Sequence, residues 1–493
     1  MKHFVELAAV GADPNPPDAG GTVDALSRIG YSLEQALADI IDNSVDAGAA
    51  DILIRFYRDA KLVRRIVIVD NGSGMTDDVL REAMRFGARQ AHKRSDLGKY
   101  GIGLKTASLS QCDNFSVISL TDENQLCARR WTRASVTENW MCERLDLRNA
   151  ESLLLQFQLV IDLGKSGTLV VWDHLDHNPI GVKGRQLSAL MKKLDVHLGL
   201  TFHRYLDAEM LRIRMDSFNI DTGNTGPEYT VSPLDPFSYR HTGHTDYPKE
   251  FHAKLPSQPM LKLQAHIWPP HSSGTGYELG GGNVASRQGF YFYRNDRLIQ
   301  AGGWNGFRGE AEPHSSLARV SVDLPPEMDS IFRLKVQKSG LDAPPAFVEA
   351  IREARSGTKP FTEYVAEAVE VYRTTRTPGA APAVSQPCEG FPMALRAWAD
   401  QAIGEAARKH PVTLQWQELP ETEVFQIAAI EGVLSLNSRY RERLSAENGA
   451  SIVEALLYLL LQNDLNPDLP SKTGTLAITS LNELLYNLLK IHE

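Results

Sequence analysis

Residues 29–205 predict a two-layer α/β sandwich, and three observations carry that reading. Ser32–Val45 has helical periodicity, with Leu33, Ala36, Leu37, Ile40 and Ile41 on one face and Ser32 placed to cap it. Two strand-like runs follow directly, Asp51–Tyr57 and Arg64–Val69, the second dominated by β-branched residues. A cluster of glycines then leads into a further helix at Ile102–Ser110.

Ahead of the sandwich, residues 1–28 hold Asp13, Pro14, Pro16, Pro17, Gly20 and Gly21 and read as an N-terminal arm. Gly48 ends the first helix, Asp78–Phe86 reads as a second, and Ala88–Leu97 is polar and irregular. Alternation at Asn114–Leu120, Ala128–Thr137 and Leu153–Val160 predicts a strand meander closed by Gly167–Val171. Across 206–374 the strand candidates Leu211–Met215, Met260–Ile267, Gly289–Arg294 and Ala318–Asp323 are separated by polar or Gly/Pro-rich connections, and Pro344–Tyr372 reads as helix. Residues 375–390 are a linker, clearest at Thr375–Gln386. Helical patterns at Met393–Lys409, Ser451–Leu461 and Ile478–Leu489 predict a mostly helical domain over 391–493.

The chain of 493 residues exceeds what one core serves, and its 42% hydrophobic and 23% charged composition excludes disorder. With 52 Lys and Arg against 61 Asp and Glu, the net charge is −9, which argues against a broadly basic coat. Cys112, Cys127, Cys142 and Cys388 form no C-x-x-C pair, and the chain reads as a cytoplasmic protein of a reducing compartment. No signal peptide or membrane-spanning run is expected.

Three segments carry the chemistry. In Ala36–Ala49, Asp39, Asn43 and Asp46 are spaced i, i+4, i+7 and stack on one side of the helix. Such a row suits Mg²⁺, which takes oxygen ligands, with a nearby carboxylate to orient or deprotonate water; by spacing alone it is equally a solvated polar face. In Ile66–Thr76, Asp70 ends a strand, and Gly72 and Gly74 allow a turn tight enough for a flat ring to approach backbone. An ionised Asp accepts from an exocyclic amine. In Asp96–Ser108, Gly98, Gly101 and Gly103 precede a helix whose first N–H groups suit phosphate, with positive charge at Lys99 and Lys105. The spacing is neither the dinucleotide fingerprint nor a Walker A loop.

In this order the three segments resemble the gyrase, heat-shock chaperone, histidine kinase and MutL (GHKL) superfamily with its Bergerat ATP-binding fold, closest to the MORC and MutL-like branches. The resemblance implies ATP and Mg²⁺ as ligands, Asn43 on the metal, Asp39 as general base and Asp70 on adenine. It extends the nucleotide-binding set to Asp46, Gly72, Gly74, Met75, Gly98, Lys99, Tyr100, Gly101, Ile102, Gly103, Leu104, Lys105 and Thr168, with Arg85–Leu97 as the lid. Where the hydrolysing branches carry Glu this chain has Asp39, one methylene shorter, so weak turnover or a binding-only switch is implied. Asp42 is expected to rotate off the ligand face.

More weakly, 206–374 resembles the ribosomal-protein-S5-like α/β transducer domain that returns a lysine to the γ-phosphate. Gln288–Trp304 is similar to its strand–turn–strand unit, and Leu334–Pro344 to the lysine loop, which implies Lys338 with Gln337 beside it and Lys335 as the substitute. Arg294 and Arg297 read as hairpin surface, and Phe290, Tyr291, Phe292 and Tyr293 as a strand with two rings in the core and two exposed. The resemblance further implies an ATP-dependent homodimer, slow ATP hydrolysis and a clamp on double-stranded DNA, with Lys183, Arg185, Lys192, Lys193, Arg204, Arg212 and Arg214 as a basic sprinkling. A chaperone-like or signalling switch on a protein partner, bound through the C-terminal domain, is the alternative. A histidine protein kinase fits less well, because the nucleotide segments begin the chain.

Overall fold

Ser32 starts the first helix, α1 (Leu33–Asp46), with a reciprocal cap: its Oγ accepts from Gln35 N, and the Gln35 side chain accepts from Ser32 N. The computed structural model describes residue 18 and residues 20–21, 30–87, 103–158, 160–163, 165–175, 179–182, 185–281, 283–309, 311–329, 331–334, 341–374, 384–402, 409–444, 450–466 and 474–490. The chain divides into two units, the first made of Met1–Pro233, Tyr293–Gln300 and Leu324–Pro344, the second of Leu234–Phe292, Ala301–Asp323 and Pro345–Glu493.

In the first unit α1 is followed by β1 (Asp51–Arg58), β2 (Val63–Asp70), α2 (Asp77–Met84), α3 (Gly103–Gln111), β3 (Asn114–Leu120) and β4 (Leu126–Thr132). Then come α4 (Arg133–Asn139), β5 (Glu143–Arg144), α5 (Leu147–Gln158), β6 (Gly167–Asp173), α6 (Gln186–Thr201), α7 (His203–Asp207), β7 (Arg212–Asn219) and β8 (Tyr229–Thr230). The strands form one sheet in the order β5-β4-β3-β6-β2-β1-β7-β8. Alternate residues serve opposite faces. Ile52, Ile54, Phe56, Ile66 and Ile68 pack with Leu37, Ile40 and Ile41 of α1 and Leu194 and Leu198 of α6, whereas Leu53, Val67 and Val69 pack with Ala150, Leu154 and Phe157 of α5.

The predicted α/β character holds, but α5 corrects the prediction of a strand at Leu153–Val160. A short apolar run does not separate strand from helix by periodicity alone. Here Ala150, Leu154 and Phe157, at i, i+4 and i+7, form one buried helical stripe. Ala128–Thr137 likewise changes from strand to helix at Thr132, whose side chain caps α4 by accepting from Ser135 N. The strand expected to open the second domain, β7, instead pairs in parallel with β1, and Arg55 meets Asp216 across that ladder in a buried pair at 2.8 and 2.6 Å.

Late chain segments complete the list: β9 (Lys249–Lys254), β10 (Met260–Ile267), α8 (Thr275–Glu278), β11 (Gly289–Arg294), β12 (Arg297–Gln300), β13 (Ala318–Asp323), β14 (Arg333–Leu334), β15 (Leu341–Asp342), α9 (Pro345–Glu353), β16 (Arg355–Ser356), β17 (Lys359–Pro360) and α10 (Phe361–Thr374). In the second unit β10 pairs antiparallel with β9 and β13. Phe290, Tyr291, Phe292 and Tyr293 are all buried, so no pair of these rings is left as an exposed stacking platform. The C-terminal segment holds β18 (Val384–Pro387), α11 (Met393–Ala402), β19 (Lys409–Gln417), β20 (Phe425–Ala428), β21 (Val433–Asn437), α12 (Arg441–Leu444), α13 (Ala450–Leu461) and α14 (Gly474–Lys490).

That segment is not mostly helical, because β18, β19, β21 and β20 form a four-stranded sheet in that order. Val412, Leu414, Leu434 and Leu436 are buried against Leu457, Tyr458 and Leu461 of α13. Asn482 on α14 accepts from Val424 N and Phe425 N and donates to Phe425 O, which ties the last helix to β20. The predicted linker ends in strand, since Val384–Gln386 belong to β18. No helix among the described residues is long and apolar enough to cross a membrane.

Candidate nucleotide site

Three strands place a polar row beside the C-terminal end of α1. Asp70 pairs with Thr168 across β2 and β6, and Thr168 with Ser119 across β6 and β3. Residues opposite one another in an antiparallel ladder share a face. The Asp70 carboxylate accepts from Ser44 Oγ at 2.8 Å and from Gly72 N at 2.9 Å. Burial raises its pKa, opposed by the Gly72 N–H, the Ser44 hydroxyl and the Thr168 backbone. Ser119 Oγ lies 2.9 Å from Thr168 Oγ1 and accepts from Met75 N at 2.8 Å, so the turn after β2 is tied to the row.

Glycine at that turn has a steric cause. A Cβ at Gly74 would stand 2.0 Å from Leu120 O, at φ +68°, and one at Gly72 would stand 2.9 Å from Ala47 Cβ and 3.0 Å from Asp70 Oδ1. Asn71 Oδ1 accepts from Ala50 N and Asp51 N, and Ser73 N donates to Ala47 O, which lock the turn to the end of α1.

On α1 the three polar residues differ. Asp39 is buried, while Asn43 and Asp46 are exposed. Asn43 Nδ2 donates to Asp39 O at 2.9 Å, which leaves its Oδ1 as the oxygen for a cation. Asp39 Oδ2 accepts from the Tyr31 hydroxyl at 2.9 Å. Burial first, then the Asp39 charge, hold the Tyr31 phenol protonated well above its ordinary range, so it is a donor here. Asp42 turns away from the exposed face, as the helical spacing requires, and is fully buried against Arg297, whose Nε donates to Asp42 Oδ1 at 2.6 Å. Arg297 is therefore not hairpin surface.

Gly103 opens α3, and none of the described residues comes within 4 Å of where its Cβ would be. Leu104 is half-buried against the core. Lys105 is buried: its ammonium donates to Ala83 O at 2.7 Å and Arg85 O at 2.9 Å, at the C-terminal end of α2, and is not directed to open solvent. Gly98, Lys99, Tyr100, Gly101 and Ile102, with the rest of the lid beyond Gly87, lie outside the described residues, as do Lys335, Gln337 and Lys338.

Burial pushes Lys105 down to about 8 from 10.5. Between these values the unfolded chain binds the extra proton, so stability rises with pH across that window and carries the full burial cost below it. Urea midpoints at pH 7 to 10 are expected to show a rise worth roughly 2–3 kcal/mol in the wild type that is missing from Lys105→Met. Parallel pH dependences would show that this ammonium titrates normally.

Residues 31–168 match the family model of histidine kinase-, DNA gyrase B- and HSP90-like ATPases. They are a GHKL-type ATPase domain. ATPase domains of this kind bind ATP, generally with Mg²⁺. No curated protein matches the chain. A solved structure described as the N-terminal domain of a DNA repair protein is similar at 15% identity and a TM-score of 0.40, over 72% of this chain and 98% of that one.

The ATPase domain fits the ligand pair on its own geometry. Asp70 offers a buried acceptor beside a glycine turn that a Cβ would block, and Asn43, on an exposed position of α1, has its amide nitrogen engaged by Asp39 O so that its oxygen is the atom left for a cation. Sequence reasoning did not select Ser44, Ser119, Tyr31 or the Asp42–Arg297 pair. Ser44 has a signal, since it follows Asn43 directly; the others meet only through the fold.

Proposed function

We propose that this protein is a slow Mg²⁺-dependent ATPase whose nucleotide state drives homodimerisation of a clamp on double-stranded DNA. The observation that carries the ATPase part is the placement of buried Asp39 one helical turn before exposed Asn43, on the helix that also supplies Ser44 to Asp70. Adenine is read by Asp70, with Thr168, Gly72, Gly74 and Met75 around it, and Asn43 and Asp46 face the metal side. Bound Mg²⁺ supplies charge neutralisation for the phosphates. Asp39 orients the attacking water and takes its proton, and Lys338, with Gly98–Leu104, serves the phosphate end, while the Lys105 ammonium stays on the carbonyls that end α2.

A protein-partner switch is the second reading, favoured by one observation. Of the basic residues considered for DNA, Arg212 and Arg214 pair with Asp51 at 2.7 Å, Lys193 with Glu34 at 2.8 Å and Arg204 with Asp296 at 3.1 Å. Cations already paired release fewer counterions from DNA.

Steady-state ATP hydrolysis and solution mass, with and without a non-hydrolysable analogue, test the proposal. Asn43→Ala should weaken Mg²⁺-dependent binding by about tenfold or more, and Asp39→Ala should bind ATP yet lose turnover by about 100-fold. Wild-type turnover no higher than that of Asp39→Ala would leave a binding-only switch. DNA affinity that steepens with falling salt and rises with ATP separates the clamp from the protein-partner reading.

A further inference from the structure

The Tyr293–Gln300 segment belongs to the first unit, although the chain on both sides of it belongs to the second. It brings Arg297 beneath α1, where the guanidinium is 2.6 Å from Asp42 Oδ1 and 3.7 Å from Asp39 Oδ1. The three side chains are 3% exposed or less. Two carboxylates three residues apart on one buried helical face repel, and a single cation between them offsets that repulsion only if its geometry is held. It is held: α7 gives Tyr205, whose hydroxyl donates to Asn295 O at 2.6 Å, and Arg204, which stacks 3.6 Å over the Tyr293 ring. Phe202 lies 5.8 Å from the Arg297 guanidinium.

We infer that Arg297 is a positioning residue for the reaction: it fixes the Asp39 carboxylate from the Oδ1 side while Tyr31 fixes it from the Oδ2 side, so that the shorter acid presents one orientation to water. This rests on the reading of Asp39 as the base. A shorter side chain has less reach to adjust during the reaction, and misplacement on the scale of one ångström is enough to lose about 100-fold in rate. Arg297 is 3% exposed and acts through Asp39.

Removing Arg297 alone strands Asp42 as a buried charge, so Arg297→Gln is expected to lower the melting temperature. The informative variant is Arg297→Gln with Asp42→Asn, which removes both charges at near-constant volume, compared with Asp42→Asn alone. The double variant should melt above Arg297→Gln, because only Asp39 is left without its cation, and bind an ATP analogue within about threefold of wild-type affinity, yet lose kcat by about tenfold or more with little change in KM. Arg297→Lys, which keeps the charge, should recover part of that kcat. A folded double variant turning over like Asp42→Asn would overturn the inference and make Arg297 a counter-charge for Asp42 only. Wild-type protein without turnover above Asp39→Ala would instead sink the parent reading, and this assignment with it.

Discussion

Asp70→Asn is expected to lose ATP affinity by about 100-fold or more while the protein stays folded. An amide in that position keeps an oxygen for the Gly72 N–H, and the Ser44 hydroxyl can rotate to accept from the new NH₂ group. The incoming exocyclic amine then meets a donor where it needs an acceptor, and a buried donor pair without acceptors costs more than a missing bond. Stability should move the other way. Burial raises the Asp70 pKa above 3.8, so the native state holds its proton to higher pH than the unfolded chain does. Stability is therefore lost as pH rises through that window, and at neutral pH the wild type carries the cost of a buried carboxylate that the amide avoids. Calorimetric titration with Mg²⁺ and ATP, beside thermal unfolding without nucleotide, checks both signs. Affinity within about threefold of wild type would remove Asp70 from base recognition.

The part of this site legible in the sequence is the part built from local spacing. Asp39, Asn43 and Asp46 follow from the period of one helix, and the Ser32 cap and the apolar face of α1 came from the same pattern. Asp70 was marked by the glycines after it. Ser119 was not, because its relation to Asp70 runs through β6, and strand order is not local information. Arg297 pairs with a residue 255 positions away, a distance over which no periodicity speaks.

The missed elements have equally local causes. In Lys409–Gln417 the alternation of Val412, Leu414 and Trp416 is a strand signal, but Pro411 inside the run argues against a strand, and the run lies among helical patterns at Met393–Lys409, Ser451–Leu461 and Ile478–Leu489. Leu153–Val160 passes for strand because Leu153, Leu155, Phe157 and Leu159 alternate at period two, whereas the helical stripe begins before that run, at Ala150, and uses Leu154 and Phe157. Arg212 and Arg214 looked like a basic surface, yet both fold onto Asp51.

Gly74→Ala should destabilise the domain by roughly 2–5 kcal/mol and weaken ATP binding by more than about tenfold, and Gly48→Ala shows why. Both glycines have positive φ, +68° and +72°, so an L side chain is strained at either. None of the described residues lies within 4 Å of a Cβ at Gly48, whereas at Gly74 the Leu120 carbonyl stands 2.0 Å away. Gly48→Ala therefore carries only the left-handed backbone cost, about 1–2 kcal/mol. At Gly74 that cost is joined by a clash with backbone of β3, which is held on both sides by β4 and β6 and cannot retreat. The turn must move instead, and it takes with it the Met75 N–H from Ser119 and the Gly72 N–H from Asp70. Urea unfolding and nucleotide titration of the two variants separate backbone strain from crowding. Equal losses in both would mean that conformation alone sets the glycine requirement, and that the close approach of the turn to β3 does not shape the base-binding side of the site.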